Sequence, residues 1–323
     1  SLNYSSVAVD CDSSSLHNIS LQICILALFC KEFELFFFLL GLSSVAAELN
    51  HPITMPVGNL ITLRNEDDFN QTLTSYVSSP KTLAVLLDYD GTLAPIAAHP
   101  NNTCIPPETE VHLKQLVQRT DVFVAVISGR GVDDVSKKVN IENVTYAGNH
   151  GLEILYPNGS RYNYPIPEPL KVNYTKMVDI LNENYAHDGA WVENKKASLT
   201  FHYRNVPENL HSDLKAEVRK TIESYGFRAN QAHMAIEAKP PVEWNKGKAA
   251  LFILQNKFGD DWADKVKVFF AGDDTTDEDA MMVLKGKGIS FRIAENDQIQ
   301  THADYRLESP FAVGKLLKWL ENK

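Results

Sequence analysis

A chain of 323 residues with 44% apolar and 22% charged side chains can bury one large core or two smaller ones. Its net charge of −10 excludes the basic footprint of a nucleic-acid binder. An anionic ligand must then be met by a local cluster of cations or by a metal.

Residues 1–50 stand apart. "SLQICILALFC" and "ELFFFLLGL" are strongly apolar, but Lys31, Glu32 and Glu34 separate them. Neither reaches the roughly 18 uninterrupted apolar residues of a spanning helix, so no stable membrane anchor is expected. Leu35 to Leu42, followed by small residues through Ala47, reads as a signal-peptide core. Asn70, Asn101, Asn143, Asn158 and Asn173 each begin an N-x-S/T triplet. Together these point to a secretory route, with the cytoplasm as the alternative. Cys11, Cys24 and Cys30 lie in the leader, and Cys104 is alone beyond it, so cleavage would leave no internal disulfide.

Beyond the leader, "TLAVLLD" (82–88) is a short apolar run rich in β-formers, the signature of a strand buried on both faces. Helical spacing follows over 106–120. A second buried strand occupies 121–130, a helix 131–139, and a third strand region with a glycine break 144–155. This alternation predicts a doubly wound parallel α/β sheet. The middle changes character. A helix over 170–186, strands at "AWVENKK" and "SLTFHYR", a helix over 208–226 and strands at "FRANQ" and "HMAIEAK" give the order αββαββ. From 246 the α/β pattern returns, with helix 246–259, strand 266–274, a helix, strand 288–294 and a closing helix. The organisation expected is a leader (1–50), a core from 51–160 and 245–323, and an α+β insert over 161–244.

Ligands of open α/β sheets bind beyond the carboxyl ends of the strands. Four motifs fall at strand-to-helix boundaries: Asp88-Tyr89-Asp90-Gly91-Thr92, Ser128-Gly129-Arg130, Lys246-Gly247, and Gly272-Asp273-Asp274-Thr275-Thr276-Asp277. Singly, the first three read more readily as a turn, a loop and a solvated lysine, and the acidic stretch reads equally well as a helix cap. In conjunction they suit phosphoryl transfer to water. Asp88 is placed as nucleophile, and Asp90 as the acid that protonates the leaving oxygen and later deprotonates water. Ser128 and Lys246 are placed on the phosphate oxygens. Mg²⁺ prefers carboxylates, water and phosphate; Asp88, Asp273 and the backbone carbonyl of Asp90 form its expected site. Asp274 and Asp277 hold its waters or orient Lys246.

The four motifs resemble those of the haloacid-dehalogenase phosphatase superfamily, and the insert is similar to its αββαββ cap class. "LLDYDGTLAPI", "ISGR", "YAGNHGLE", "VENKKASLTFHYR", "EAKPPVEWNKGKA" and "AGDDTTDEDAM" resemble the trehalose-6-phosphate phosphatases, from about residue 65 to the end. The resemblance implies Mg²⁺-dependent release of phosphate from trehalose 6-phosphate by a Rossmann-like core with a cap. It also implies sugar-binding roles for Asn149, His150, Glu153, Glu193, Lys195, Ser198, His202 and Glu237, with Arg130 in the same pocket. Asn194 stands where Asp is common, and Ala238-Lys239 where Val-Arg is common. The alternatives are a phosphatase or phosphomutase for another sugar phosphate, such as sucrose phosphate or a hexose phosphate. A non-catalytic binding protein on this scaffold should have lost one of Asp88, Asp90, Lys246 or Asp273, and none is lost. The expected partner is a small sugar phosphate bound by a monomer.

Overall fold

The computed structural model describes residues 60–79 and 81–323. The leader reading lies outside them. Among the described residues no helix is long and apolar enough to cross a membrane.

Strand β1 (Thr82–Leu87) is central, and its alternation shows why a continuous apolar run was needed. Leu83, Val85 and Leu87 point into one hydrophobic layer, Ala84 and Leu86 into the other. Parallel partners flank it. On one side are β2 (Val122–Ile127) and β3 (Val144–Gly148); on the other are β10 (Val266–Gly272), β11 (Ile289–Ile293) and β12 (Tyr305–Leu307). The first layer is closed by α1 (Glu66–Val77), α2 (Pro107–Val117), α3 (Val132–Val139) and the C-terminal α9 (Pro310–Glu321). The second is closed by α6 (Lys246–Phe258), α7 (Trp262–Lys265) and α8 (Glu278–Leu284). Helices on both faces of a mainly parallel sheet are the α/β architecture expected.

Several features differ from the sequence expectation; β12 and α7 were not anticipated, and the larger sheet takes in Arg161–Asn163, past the expected boundary at residue 160. The third strand region is not one strand. A 3₁₀ turn, Asn149–Gly151, reverses the chain, and β4 (Glu153–Leu155) and β5 (Arg161–Asn163) extend the sheet antiparallel. The reversal rests on left-handed Asn149 (φ 50°) and His150 (φ 57°), residue types that tolerate that region better than most. Helix α1 was also not anticipated. Its N-cap Asn65 accepts a hydrogen bond from the Asp68 amide, and it buries only Phe69 and Leu73.

The elements α4 (Glu168–Asn184), β6 (Trp191–Asn194), β7 (Leu199–His202), α5 (His211–Ser224), β8 (Arg228–Ala232) and β9 (Ala235–Lys239) follow the αββαββ order. Their sheet is antiparallel, in the order β6-β7-β9-β8. Period-two alternation gives it two faces. Leu199, Phe201, Ile236 and Ala238 pack on Tyr174, Met177, Leu181, Val218 and Ile222 of the two helices. Their neighbours in register, Thr200 against Glu237 and Trp191 against His202, leave a polar face.

Candidate active site

Asp88 follows β1 and Asp273 follows β10, so adjacent parallel strands deliver two carboxylates to one point. The approach is close enough to dictate the turn residue. Gly91 has φ +79°, and a Cβ there would lie 2.1 Å from Asp273 Oδ2. Gly272 serves the same end, since a Cβ there would lie 2.2 Å from Asp277 Cγ.

Lys246 opens α6, where the positive end of the helix dipole disfavours a cation. It is held by carboxylates: Nζ donates to Asp88 Oδ1 and to Asp277 Oδ1, both at 2.8 Å, with all three side chains buried. Burial opposes the ammonium, but Asp277 and Asp88 overcome it and hold Lys246 above the usual lysine range. Burial pushes Asp88 up to about 8, against the pull of Lys246. Burial, then Asp277 and Asp274, push Asp273 up to about 7. Asp277 also lies well above the carboxylate range, chiefly through burial. One buried ammonium therefore leaves the carboxylates short of positive charge.

Carboxylate oxygens of Asp88, Asp273 and Asp277 lie within 4.8 Å of one another, and Asp273 Oδ1 is buried without a hydrogen-bond partner. An all-oxygen, under-neutralised cluster with an orphaned acceptor fits a hard divalent cation. Asp277 is the least available of the three. Its Oδ1 accepts from Lys246 and its Oδ2 from the Asp274 amide. Asp274 in turn accepts from the backbone of Thr276 and Asp277, which shapes the turn into α8.

Ser128 follows β2 with its hydroxyl accepting the Arg130 amide, and it is almost wholly buried. Arg130, expected among the substrate-binding residues, borders the cleft, but its guanidinium is taken up by carboxylates. Its guanidinium grips Asp90 with two hydrogen bonds, Nε to Oδ2 at 2.6 Å and Nη2 to Oδ1 at 2.7 Å, and Nη1 holds Asp134 at 2.7 Å.

Above these groups the polar face of the smaller sheet closes a cleft of about 350 Å³. Asp88, Asp90, Arg130, His150, Glu193, Lys195, His202, Glu237, Lys246 and Asp274 all border it. His150 Nε2 meets Glu237 Oε1 at 3.1 Å, and Lys239 meets Glu237 Oε2 at 2.9 Å. Burial works against the Glu237 anion, but His150, Lys195 and Lys239 hold its carboxyl well below the usual range. His202 pairs with Glu193 at 2.9 Å. Asn149, Glu153 and Ser198 do not border this cleft. Asn149 is fully buried; its amide donates to Glu153 and to the Lys195 carbonyl and accepts from the Ser198 hydroxyl. Its amide is spent on tying the 3₁₀ turn to β4 of the larger sheet and to the β6–β7 connection of the smaller one. Sequence reasoning missed Trp191, which stacks on His202 (ring centroids 4.0 Å apart) and on His99 (5.6 Å). It also missed Arg204 and His233 at the cleft's border.

Residues 86–310 match the family described as trehalose-phosphatase. "Probable trehalose-phosphate phosphatase J" of Arabidopsis thaliana is 32% identical over 255 residues, 74% of this chain and 68% of the relative. "Probable trehalose-phosphate phosphatase 3" of Oryza sativa subsp. japonica is 34% identical over 259 residues, 74% and 69%. Among solved structures, the C-terminal domain of C. albicans trehalose-6-phosphate phosphatase superposes with a TM-score of 0.67 at 22% identity, covering 81% of this chain and 99% of that one. A trehalose-6-phosphate phosphatase related protein gives 0.61 at 21%, covering 74% and 97%. These structures share the fold. With a family match over most of the chain and relatives above 30% identity, this chain belongs to the trehalose-phosphatase family.

Proposed function

We propose that the chain hydrolyses trehalose 6-phosphate to trehalose and phosphate through an aspartyl-phosphate on Asp88, with Mg²⁺ as cofactor. The observation that carries this reading is the buried Lys246 bridging Asp88 and Asp277 beside the orphaned Asp273 oxygen. That cluster has a cation to hold a phosphate, a nucleophile next to it, and surplus negative charge that a divalent ion offsets. Asp88 and Asp273 are the residues that would hold Mg²⁺, which supplies charge against the phosphate dianion.

Asp88 forms a bond to phosphorus as the bond from phosphorus to the sugar oxygen breaks, and the Asp90 proton goes to that oxygen. Water then adds to phosphorus as the Asp88 bond breaks, and its proton returns to Asp90. Lys246 spreads the charge of the transferring group. The smaller sheet acts as a lid: His150, Glu193, Lys195, His202 and Glu237 offer donors and acceptors to sugar hydroxyls and exclude bulk water.

The test is phosphate release from trehalose 6-phosphate, sucrose 6-phosphate and glucose 6-phosphate, with Mg²⁺ and with excess EDTA, for wild type and Asp88→Asn. Trehalose 6-phosphate should be turned over fastest, only with Mg²⁺, and not by the variant. Equal turnover of glucose 6-phosphate would overturn the sugar assignment, and undiminished activity in EDTA the cofactor.

A further inference from the structure

Arg130 is fixed at both ends. Its amide donates to Ser128 Oγ at 3.1 Å, and its carbonyl accepts from the Asn149 amide at 2.7 Å. Its guanidinium meets four acceptors: Asp90, Asp134, the Pro100 carbonyl at 2.8 Å and Thr103 Oγ1 at 3.0 Å. The side chain is 6% exposed, whereas the Asp90 carboxylate it grips is 32% exposed and borders the cleft. Little of the guanidinium is left for a sugar, and the anchored partner is the one that faces substrate.

A carboxylate has about four acceptor positions. The fork occupies one on each Asp90 oxygen and leaves the others open to the cleft. A rigid planar fork also fixes the plane of the carboxylate, which a lysine point charge cannot do. Free rotation about the Asp90 side chain would spoil the alignment that proton transfer needs, and general acid catalysis depends on that alignment. We propose that Arg130 is a positioning residue that orients the Asp90 carboxylate toward the leaving oxygen, rather than a ligand of the sugar. The inference rests on the phosphatase reading above. Asp134 at the far end of the guanidinium, and the segment through Pro100 and Thr103, hold Arg130 in register.

Leaving-group dependence separates this role from its alternatives. Ethyl phosphate and trehalose 6-phosphate both expel a basic alkoxide that needs a proton. p-Nitrophenyl phosphate expels a stable phenolate that does not. In the full chain, Arg130→Gln and Arg130→Lys should each lower kcat/KM on both alkyl substrates by about 10² or more, the range of a general acid. kcat/KM on p-nitrophenyl phosphate, which covers only the transfer to Asp88 and not the later hydrolysis step that Asp90 also serves, should fall less than about tenfold, and KM for trehalose 6-phosphate should stay near wild type. Asp134→Asn, on an exposed edge, keeps Arg130 and Asp90 and should give the same selective pattern at smaller size. Equal losses of kcat/KM on all three substrates would mean a purely structural role. A loss confined to trehalose 6-phosphate, seen as raised KM with ethyl phosphate untouched, would mean sugar binding. Wild-type behaviour of Arg130→Lys would mean that charge, not the fork, matters. Each of these results overturns the inference. The ethyl and p-nitrophenyl pair decides it even if trehalose 6-phosphate is not the substrate.

Discussion

His150 Nε2 lies 3.1 Å from Glu237 Oε1, so a left-handed turn at the end of β3 meets the polar face of β9 across the cleft. A non-glycine residue in that region costs about 1–3 kcal/mol and persists only where its surroundings fix it. Here the His150 amide donates to the Ser128 carbonyl at 2.8 Å, which fixes the ring beside Gly129.

Glu237→Gln should therefore weaken sugar binding more than chemistry. The variant removes the anion shared by His150, Lys195 and Lys239. Hydrogen bonds to charged groups are worth about 1.5–3 kcal/mol, so KM for trehalose 6-phosphate should rise at least about tenfold. kcat and activity on p-nitrophenyl phosphate should move little. Steady-state kinetics on both substrates is the check, and a loss borne mainly by kcat would place Glu237 in the chemistry instead.

Gly91→Ala and Gly159→Ala form a matched pair. Both positions have φ near +80°, but a Cβ at Gly91 runs into Asp273 and one at Gly159 meets nothing within 4 Å. Both variants carry a backbone cost of about 1 kcal/mol. Only Gly91→Ala should lose activity, because Asp273 must shift. Thermal melts and phosphate release on the two proteins separate strain from displacement. Full activity in Gly91→Ala would show that Asp273 has room to spare.

Stability of the metal-free protein should fall as pH rises from about 6.5 to about 8. The folded state raises Asp88 from 3.8 to about 8 and Asp273 from 3.8 to about 7. In that window the folded chain binds more protons than the unfolded one, so unfolding becomes easier as pH increases. His150 acts with the opposite sign. Burial lowers it from 6.5, so its neutral form stabilises the fold above 6.5 and that contribution is lost only below. The window above 6.5 thus sets His150 aside; exposed His187, raised from 6.5 by its hydrogen bond to Asp188, acts there with the same sign as the carboxyls, so the scan is run on a His187→Ala background. A Tm decrease of at least about 2–4 °C corresponds to 1 kcal/mol for a domain of this size. Mg²⁺ should raise Tm and flatten the slope. A Tm that climbs with pH in EDTA would contradict the charge imbalance at this site.

How much of this was legible in the sequence varies with range. β1, β2 and β10 announce themselves because strands buried on both faces must be apolar throughout. The motifs after them were legible for the same reason, since a carboxylate ending such a run has to be met by something. β4, β5 and β12 span three residues each, too short for a period to show. Helix α1 buries two side chains, and its docking depends on distant Trp319, whose indole donates to Asn70. The stack of His99 on Trp191 joins separate parts of the chain and leaves no local pattern. Arg130 shows the deeper limit. A motif supplies the residue type, but its partners Asp90, Asp134 and Thr103 are set by the fold.

Asn149→Ala should act on stability rather than on sugar choice. The residue has φ +50° and is fully buried, and its amide links Glu153, the Lys195 carbonyl and the Ser198 hydroxyl. Alanine removes both donors and the acceptor and leaves Glu153 Oε2 and the Ser198 hydroxyl short of a partner, while the Lys195 carbonyl keeps the Ala197 amide. Each buried group so orphaned costs about 1–3 kcal/mol, and alanine tolerates the left-handed region less well than asparagine. A loss of at least about 2 kcal/mol is expected, read as a lower denaturation midpoint at unchanged slope. Because Asn149 lies off the cleft, kcat/KM for trehalose 6-phosphate and for glucose 6-phosphate should fall together, by a similar factor. Ser198→Ala removes one of the same bonds and should show a smaller version of both effects. If Asn149→Ala kept its stability and lost discrimination between the two sugars, Asn149 would be a sugar ligand after all, and its place in the cleft would differ from the one seen in this fold.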